Sequence, residues 1–442
     1  MIKKNTLGLR RGALTVLGAA VLGAAAMSAC SSSDDTSTSN GGSGGSVGGS
    51  HTGGTAGKGG TSATAGSGGK GGTSASGGTG GSIVVGGSGG AIGSAGEAGE
   101  TSAAGAAGAP GTPSVEQHVT KTLLTSDQAG AAHTVANLVN AWGLAINPNA
   151  QGGPLFWVSA TDSGVSDVFD ATGNAPGLVV TVPAGTATGL GAGTGAPTGQ
   201  AYNASATAFN GDTFIFATED GFIEGWKTGT VAVAEVNNFT TASYKGLAIA
   251  TVGATPELLA TNFKAGAIDS FTSAFAAITT KPFNDATIPA GFAPFNVAEL
   301  NGKVYVTYAK QDADKADDVK AVGNGYVNVF NLDGTLDKRL ISQGALNSPW
   351  GIALAPAGWG GLAGALLVGN FGDGLIHAYD ATSGEMVGEL TDAAGTPLAI
   401  DGLWALAFGP NVASGDLSAQ LFFTAGPARE THGQFGKLVV AP

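Results

Sequence analysis

From about residue 119 to residue 440 apolar and polar positions alternate in short runs. Nowhere do the apolar residues recur at the three-to-four spacing of a helix. One run, Leu155–Ala160, is followed by a polar turn and a second run, Val165–Phe169. The turn Asp170-Ala171-Thr172-Gly173 comes next, then a third run, Leu178–Val182. Equivalent pairs of runs lie at Thr213–Thr218 with Phe222–Trp226, Leu258–Phe263 with Ala267–Phe271, and Val304–Tyr308 with Tyr326–Phe330. Two more are Ala365–Asn370 with Leu375–Tyr379 and Leu421–Ala425 with Gly436–Val440. Asp and Gly in the intervening turns supply side-chain hydrogen bonds and left-handed backbone.

Each unit opens on a recognisable start. Trp142-Gly143-Leu144-Ala145-Ile146, Trp350-Gly351-Ile352-Ala353-Leu354 and Trp404-Ala405-Leu406-Ala407-Phe408 are the clearest. Weaker copies stand at Thr198-Gly199, Lys245-Gly246 and Phe295-Asn296, so six starts recur about 47 to 56 residues apart. Four short antiparallel strands repeated six times predict an all-β fold, a six-bladed β-propeller of four-stranded blades. The last unit runs out before its fourth strand. The spare run Val119–Thr125 is expected to supply it, closing the ring and removing two open sheet edges.

Composition divides the chain. Residues 31–112 contain no Phe, Trp or Tyr and are mostly Gly, Ser, Thr and Ala. Such a segment cannot bury enough apolar surface to offset the entropy of ordering it. It reads as a flexible tether with an end-to-end distance on the order of 50 Å. Ahead of it, Lys3, Lys4, Arg10 and Arg11 precede an apolar stretch and Met27-Ser28-Ala29-Cys30. That order is a secretory signal, and its end resembles the bacterial lipobox, with Met27 in place of the usual Leu. The expected organisation is a lipoprotein signal peptide over 1–29, a Gly/Ser-rich tether over 30–112 and the propeller over 113–442. Acylated Cys30 then anchors an exported protein in a lipid bilayer. Ser31 and Ser32 after the cysteine point to the outer membrane, on its periplasmic or surface side.

Cys30 is the only cysteine, so the folded part has neither a disulfide nor a Cys-ligated metal. The net charge is −13, and the four basic residues of the signal make the remainder more acidic still. This argues against nucleic acid as a partner. A monomeric domain that meets a small molecule, a polysaccharide or a protein is expected instead.

No GxSxG elbow or HExxH helix is present. The loops that follow second strands or precede first strands converge at one end of a propeller's channel. They carry Asp162, Glu219, Asp220, Asn262, Asn370, Asp373 and Asp401, with Asn140 and Asn296 nearby. Two readings stand side by side. Asp and Asn cap turns, and an oxygen-rich ring of Asp162, Glu219, Asn262, Asn370 and Asp401 also suits Ca²⁺ or Mg²⁺. Arg429, Glu430 and His432 form a further polar group in the last loop. Asp312, Asp314, Asp317 and Asp318, mixed with Lys310, Lys315 and Lys320, read as a solvated insertion. The Trp residues at the unit starts read as packing around the axis, with carbohydrate stacking as the alternative.

Several of these stretches form a pattern together: Asn137-Leu138-Val139-Asn140-Ala141-Trp142-Gly143, Ser348-Pro349-Trp350-Gly351, Gly369-Asn370-Phe371-Gly372-Asp373-Gly374 and Asp401-Gly402-Leu403-Trp404. Phe423-Thr424-Ala425-Gly426-Pro427 follows, with Glu430, His432-Gly433 and Phe435-Gly436. The pattern resembles a bacterial family of exported NHL-like six-bladed propellers across nearly all of 119–440, with Ala141 where that family has Pro. The resemblance implies the fold and makes Glu430 and His432 family features, but it supplies no activity. The ligand-binding candidates are therefore Asn140, Asn370, Asp373, Asp401, Glu430 and His432. The leading expectation is a binding or scaffold module using its channel face. The alternative is a metal-dependent hydrolase, because propeller lactonases similar in fold use such carboxylate and amide ligands.

Overall fold

The computed structural model describes residues 115–441. Those residues are all-β, relieved only by three single-turn 3₁₀ segments. Four separate four-stranded antiparallel sheets lie in chain order, at 141–181, 197–237, 244–278 and 292–342. Two further four-stranded groups, at 349–391 and 403–440 with the N-terminal strand, join into one larger sheet. Strand limits match the apolar runs closely. Leu155–Ala160, Val165–Phe169, Phe222–Trp226 and Ala267–Phe271 are strands over the expected residues. Two short hairpins, Pro183–Thr186 with Gly189–Thr194 and Asn411–Val412 with Gly415–Asp416, carry too little apolar pattern to be seen beforehand.

The N-terminal strand, Val115–Ser126, is longer than its sequence pattern suggests and pairs with three others, the shortest being His133–Thr134 beside its last two residues. Its first residues run parallel to the fourth strand of the fifth group, Val115 opposite Gly388. From Val119 it runs antiparallel to Gln434–Val440, the last strand of the chain, with a bulge between Leu123 and Thr125. The two pairings meet end to end along the strand, at His118 and Val119.

Both faces of most strands are covered, which is why their sequences are apolar runs rather than strict alternations. Phe214–Thr218 is buried at every residue. Side chains of successive sheets interlock. Trp157, Val168 and Val180 of the first sheet meet Phe214 and Phe216 of the second, with Trp157 stacked on Phe214 at 3.8 Å.

The first strands of the six groups touch in sequence. Strand 141–147 packs on 197–202, then come 244–252, 292–300, 349–354 and 403–408, and the last meets 141–147 again. Glycine makes this approach close. A Cβ on Gly143 would sit 2.2 Å from the Thr198 carbonyl oxygen, and one on Gly199 would sit 2.5 Å from the Leu247 nitrogen. Polar side chains then tie five of the six first strands to the preceding group. Thr161 Oγ1 donates to the Pro197 carbonyl at 2.7 Å, and Thr198 Oγ1 to the Tyr244 carbonyl at 2.8 Å. Thr261 Oγ1 donates to the Phe295 carbonyl at 3.2 Å, and Asn296 Nδ2 to the Trp350 carbonyl at 2.8 Å. Thr424 Oγ1 donates to the Trp142 carbonyl.

Candidate functional site

Every first strand is irregular at the same place. Pairing with its second strand shifts between Ala141 and Leu144, between Pro197 and Gln200, and between Tyr244 and Leu247. It shifts again between Pro294 and Asn296, between Pro349 and Gly351, and between Leu403 and Leu406. A bulge re-aims the side chain it carries. The six residues so placed are Trp142, Thr198, Lys245, Phe295, Trp350 and Trp404. Four of them are aromatic and gather into one buried cluster with Phe263 and Phe371. Trp404 is sandwiched there, 3.6 Å from Trp142 and 3.7 Å from Phe371, with Trp350 edge-on at 5.9 Å.

The cluster separates two unlike spaces. On one side lies a cavity of about 280 Å³ between the first strands, lined by Leu144, Ile146, Ile249, Ile352 and Leu406 among others. Trp350, Leu144 and Ala405 belong to both the cavity wall and the aromatic cluster. On the other side stands Lys245, the one charged residue among the six equivalent positions. It is 2% exposed, with its ammonium 5.3 Å from the Trp142 ring centroid. A buried ammonium needs a partner. Glu219 pairs with it, and Asp317 approaches to 3.9 Å. Burial opposes the Lys245 charge, but Glu219 above all, helped by Asp317 and Asp318, outweighs it and holds the group above its ordinary pKa.

Around that pair the backbone is strained. Asn140, Ser348, Ala428, Arg429 and Glu430 all have left-handed φ, between 47° and 68°. Non-glycine residues adopt this region at a cost and persist there only where the surroundings impose it. The turn 428–430 is fixed by the Asp401 carboxylate, which accepts from Ala428 N at 2.8 Å, and by Glu430 N donating to the Gly426 carbonyl at 3.0 Å. Asn140 links the turn to the aromatic cluster. Its Nδ2 donates to Glu430 Oε2 at 3.1 Å, and its Oδ1 accepts from Trp404 Nε1 at 3.0 Å. Burial pushes the Glu430 carboxyl up to about 7. Lys320 and Lys245 pull against this, and Glu219 and Asp318 add to it.

The insertion between Lys303–Lys310 and Gly325–Phe330 reaches this end of the molecule, which its sequence did not suggest. Most of it is exposed, in keeping with the expected solvated loop. Yet Asp317 faces Lys245, and Asp318 lies close enough to Lys245, Lys320 and Ser348 for all three to act on it. Lys320 places its ammonium 3.6 Å from the Phe371 ring centroid. Lys245 and Lys320 are thus the functional candidates that sequence reasoning missed. The one available signal was a lysine at a start position where other units carry tryptophan.

The sequence candidates do not all meet. Asn140, Glu430 and Glu219 belong to the Lys245 end. Asn370 pins a loop, accepting from Asn347 N at 3.1 Å and donating to the Ala345 carbonyl at 2.8 Å. Asp373 accepts from Asn347 Nδ2 at 3.0 Å and Leu375 N at 3.1 Å, and Asp401 holds the 428–430 turn. His432 points elsewhere, 2.7 Å from Asp127 at the end of the N-terminal strand. Asn262 is engaged with Asp269 at 3.0 Å and Ala265 N at 3.1 Å, and Asp162 lies in the 3₁₀ turn Thr161–Ser163. Of the five residues drawn as a ring for Ca²⁺ or Mg²⁺, Glu219 pairs with Lys245, Asn262, Asn370 and Asp401 bond to local backbone, and Asp162 lies in the Thr161–Ser163 turn. Among the described residues no three His, Cys, Asp or Glu side chains form a metal-holding group. Cys30 lies outside the described residues.

Comparison with known proteins adds relatives at this point. The chain is 30% identical over 326 residues to uncharacterized protein R648 of Acanthamoeba polyphaga mimivirus, covering 70% of this chain and 76% of that protein. It is 31% identical over 340 residues to uncharacterized protein L690 of the same virus, covering 72% and 84%. The chain belongs to the family of these two mimivirus proteins. The relatives found for this family are viral, whereas the resemblance read from the sequence was to a bacterial group. No protein-family model matches. Among solved structures the chain is similar to the WD40 β-propeller domain of Doa1, at TM-score 0.41 and 11% identity over 66% of this chain and 77% of that one. A structural genomics protein of unknown function from Bacteroides thetaiotaomicron gives TM-score 0.46 and 11% identity over 74% and 77%. A glucose dehydrogenase gives 0.46 and 12% over 73% and 100%.

Proposed function

We propose that this chain is a binding or scaffold module, a six-bladed propeller whose ring is closed by the N-terminal strand and whose ligand is met at the Lys245 end of the axis. The six groups are its blades. The cycle of contacts between their first strands, with Thr424 of the last tied to Trp142 of the first, supports the ring. The single observation that carries the functional reading is Lys245. Five of the six equivalent positions hold uncharged side chains, and the sixth buries an ammonium against tryptophan beneath strained turns. Packing alone has no use for such an arrangement, since a well-packed apolar residue there would be as stable or more so.

The sequence further supports a protein exported and held by acylated Cys30, with 31–112 as tether and 113–442 as the folded module. Among the described residues no helix is long and apolar enough to cross a membrane. Labelled palmitate should enter the wild type and be absent from Cys30→Ala; retention of label in that variant would remove the anchor.

The binding reading is tested on the full chain with a panel of amines, carboxylates, sugars, lactones and esters. Compounds that raise the melting temperature should slow hydrogen exchange in 426–432 and 311–322, and none of the panel should be turned over. Protection confined to the cavity end, around 299–302 and 354–357, or sustained hydrolysis of a lactone or ester, would overturn it.

A further inference from the structure

The two lysines at the channel mouth are not alike. Lys245 is sealed beneath its carboxylate partner. Lys320 is an exposed residue of the insertion, yet its ammonium rests on the face of Phe371, which is 3% exposed. That ring is rigidly backed by Trp404 and then Trp142, stacked in series. An aromatic face beside carboxylates is the arrangement that recognises organic ammonium ions. The carboxyls of Glu430 and Asp318 lie close enough for the Lys320 charge to act on both, with Glu219, Asp317 and Lys245 as the neighbouring charged groups. Glu219 and Asp317 face Lys245, which leaves Lys320 with the carboxyls of Glu430 and Asp318 as its acidic neighbours. A hard metal ion wants several oxygens and gains little from a ring face.

We propose that the place Lys320 occupies is a seat for an alkylammonium group, and that an external ligand carrying one displaces Lys320 from Phe371. Lys320 is then the protein's own stand-in, and the insertion sets the threshold a ligand must overcome. This inference rests on reading the Lys245 end as the binding face and names the ligand class for it. A group tethered by a short flexible segment competes at an effective concentration on the order of millimolar. Removing it therefore raises the apparent affinity of any ligand that uses the same seat.

The test is a titration of full-length protein with n-butylammonium chloride, read by tryptophan fluorescence because Trp404 lies directly behind Phe371. Butanol serves as the neutral control. Lys320→Ala is expected to bind n-butylammonium about tenfold more tightly than the wild type. Adding Phe371→Leu should remove most of that gain, and butanol should give no comparable response. Because Lys320 is exposed, an unchanged melting temperature for Lys320→Ala verifies that its fold is intact. Equal affinity in wild type and Lys320→Ala, or an equal response to butanol, overturns the ammonium seat. If n-butylammonium fails while another compound of the panel protects 426–432 from exchange, the ammonium seat falls and the binding face stands. If n-butylammonium binds but protects only the cavity end, the binding face falls as well.

Discussion

The two ends of the central axis are made by the same strands and differ in nearly every physical respect. One end is a cavity walled by Leu144, Ile146, Ile249, Ile352 and Leu406 together with Gln200, Asn296 and Glu299. The other is a set of basic and acidic side chains gathered about an aromatic stack and held by left-handed turns. The partition between them is the layer of bulged residues. Below it each strand keeps its regular alternation. Above it the bulge has turned one side chain per strand toward its neighbours. The contrast teaches that a repeat needs only one position per unit to become a site, provided the backbone brings those positions together.

The sharpest way to break the comparison is to take the counter-ion from Lys245. Glu219→Ala should cost about 3 kcal/mol in chemical denaturation, because it leaves the buried ammonium without its hydrogen-bonded partner and with only Asp317, at 3.9 Å, facing it. Lys245→Met in the Glu219→Ala background should recover most of that loss. A cost below about 1 kcal/mol for Glu219→Ala would mean that the two ends are not electrostatically different.

Next comes the partition. Trp404→Ala should destabilise by about 4 kcal/mol, since it removes the middle ring of the stack. Ile352→Ala on the cavity side should cost only about 2 kcal/mol, because a cavity-lining side chain already lacks partner atoms on one side. Equal losses would erase the distinction between a packed layer and a hollow one.

A smaller effect concerns pH. Glu430 is held near 7 by burial, so the folded chain keeps a proton that the unfolded chain releases near pH 4.5. Stability should therefore fall as pH rises between about 4.5 and 7, and level off above that. Glu430→Gln should flatten this slope, a change of roughly 2 kcal/mol across the window after allowance for partial exposure. Melting curves at pH 5 and pH 8 measure it, and an unchanged slope would locate the proton elsewhere. At the far rim, Glu299 accepts from Gly302 N at 2.6 Å in a turn open to solvent, and Glu299→Gln should alter stability by less than about 0.5 kcal/mol.

Much of the fold was readable as strand pattern. Phe222–Trp226 and Ala267–Phe271 could be placed to the residue, because turn residues lead into both, Glu219-Asp220-Gly221 before one and Lys264-Ala265-Gly266 before the other. The N-terminal strand was found, but not its pairing with 388–391, since Val115–His118 carries only one apolar residue and is held there by backbone pairing and by His118 Nδ1 against Thr391 Oγ1 at 2.7 Å. At the candidate site, Asn140 and Glu430 were picked from one resemblance and proved to be bonded to each other. His432, picked with them, belongs to Asp127. Residues two apart on a turn can point in opposite directions, and no spacing rule reveals which.

By itself the sequence determined the all-β class, the limits of strands such as Leu155–Ala160 and Val165–Phe169, and the six starts, because each depends on residues adjacent in the chain. Only the tertiary structure decided that Lys245 meets Glu219, that Lys320 rests on Phe371 and that Asn140 reaches Glu430 across 290 residues of chain. Those contacts are set by how bulges and close-packed glycines turn separate sheets toward one axis. That geometry depends on every sheet at once and is carried by no local pattern.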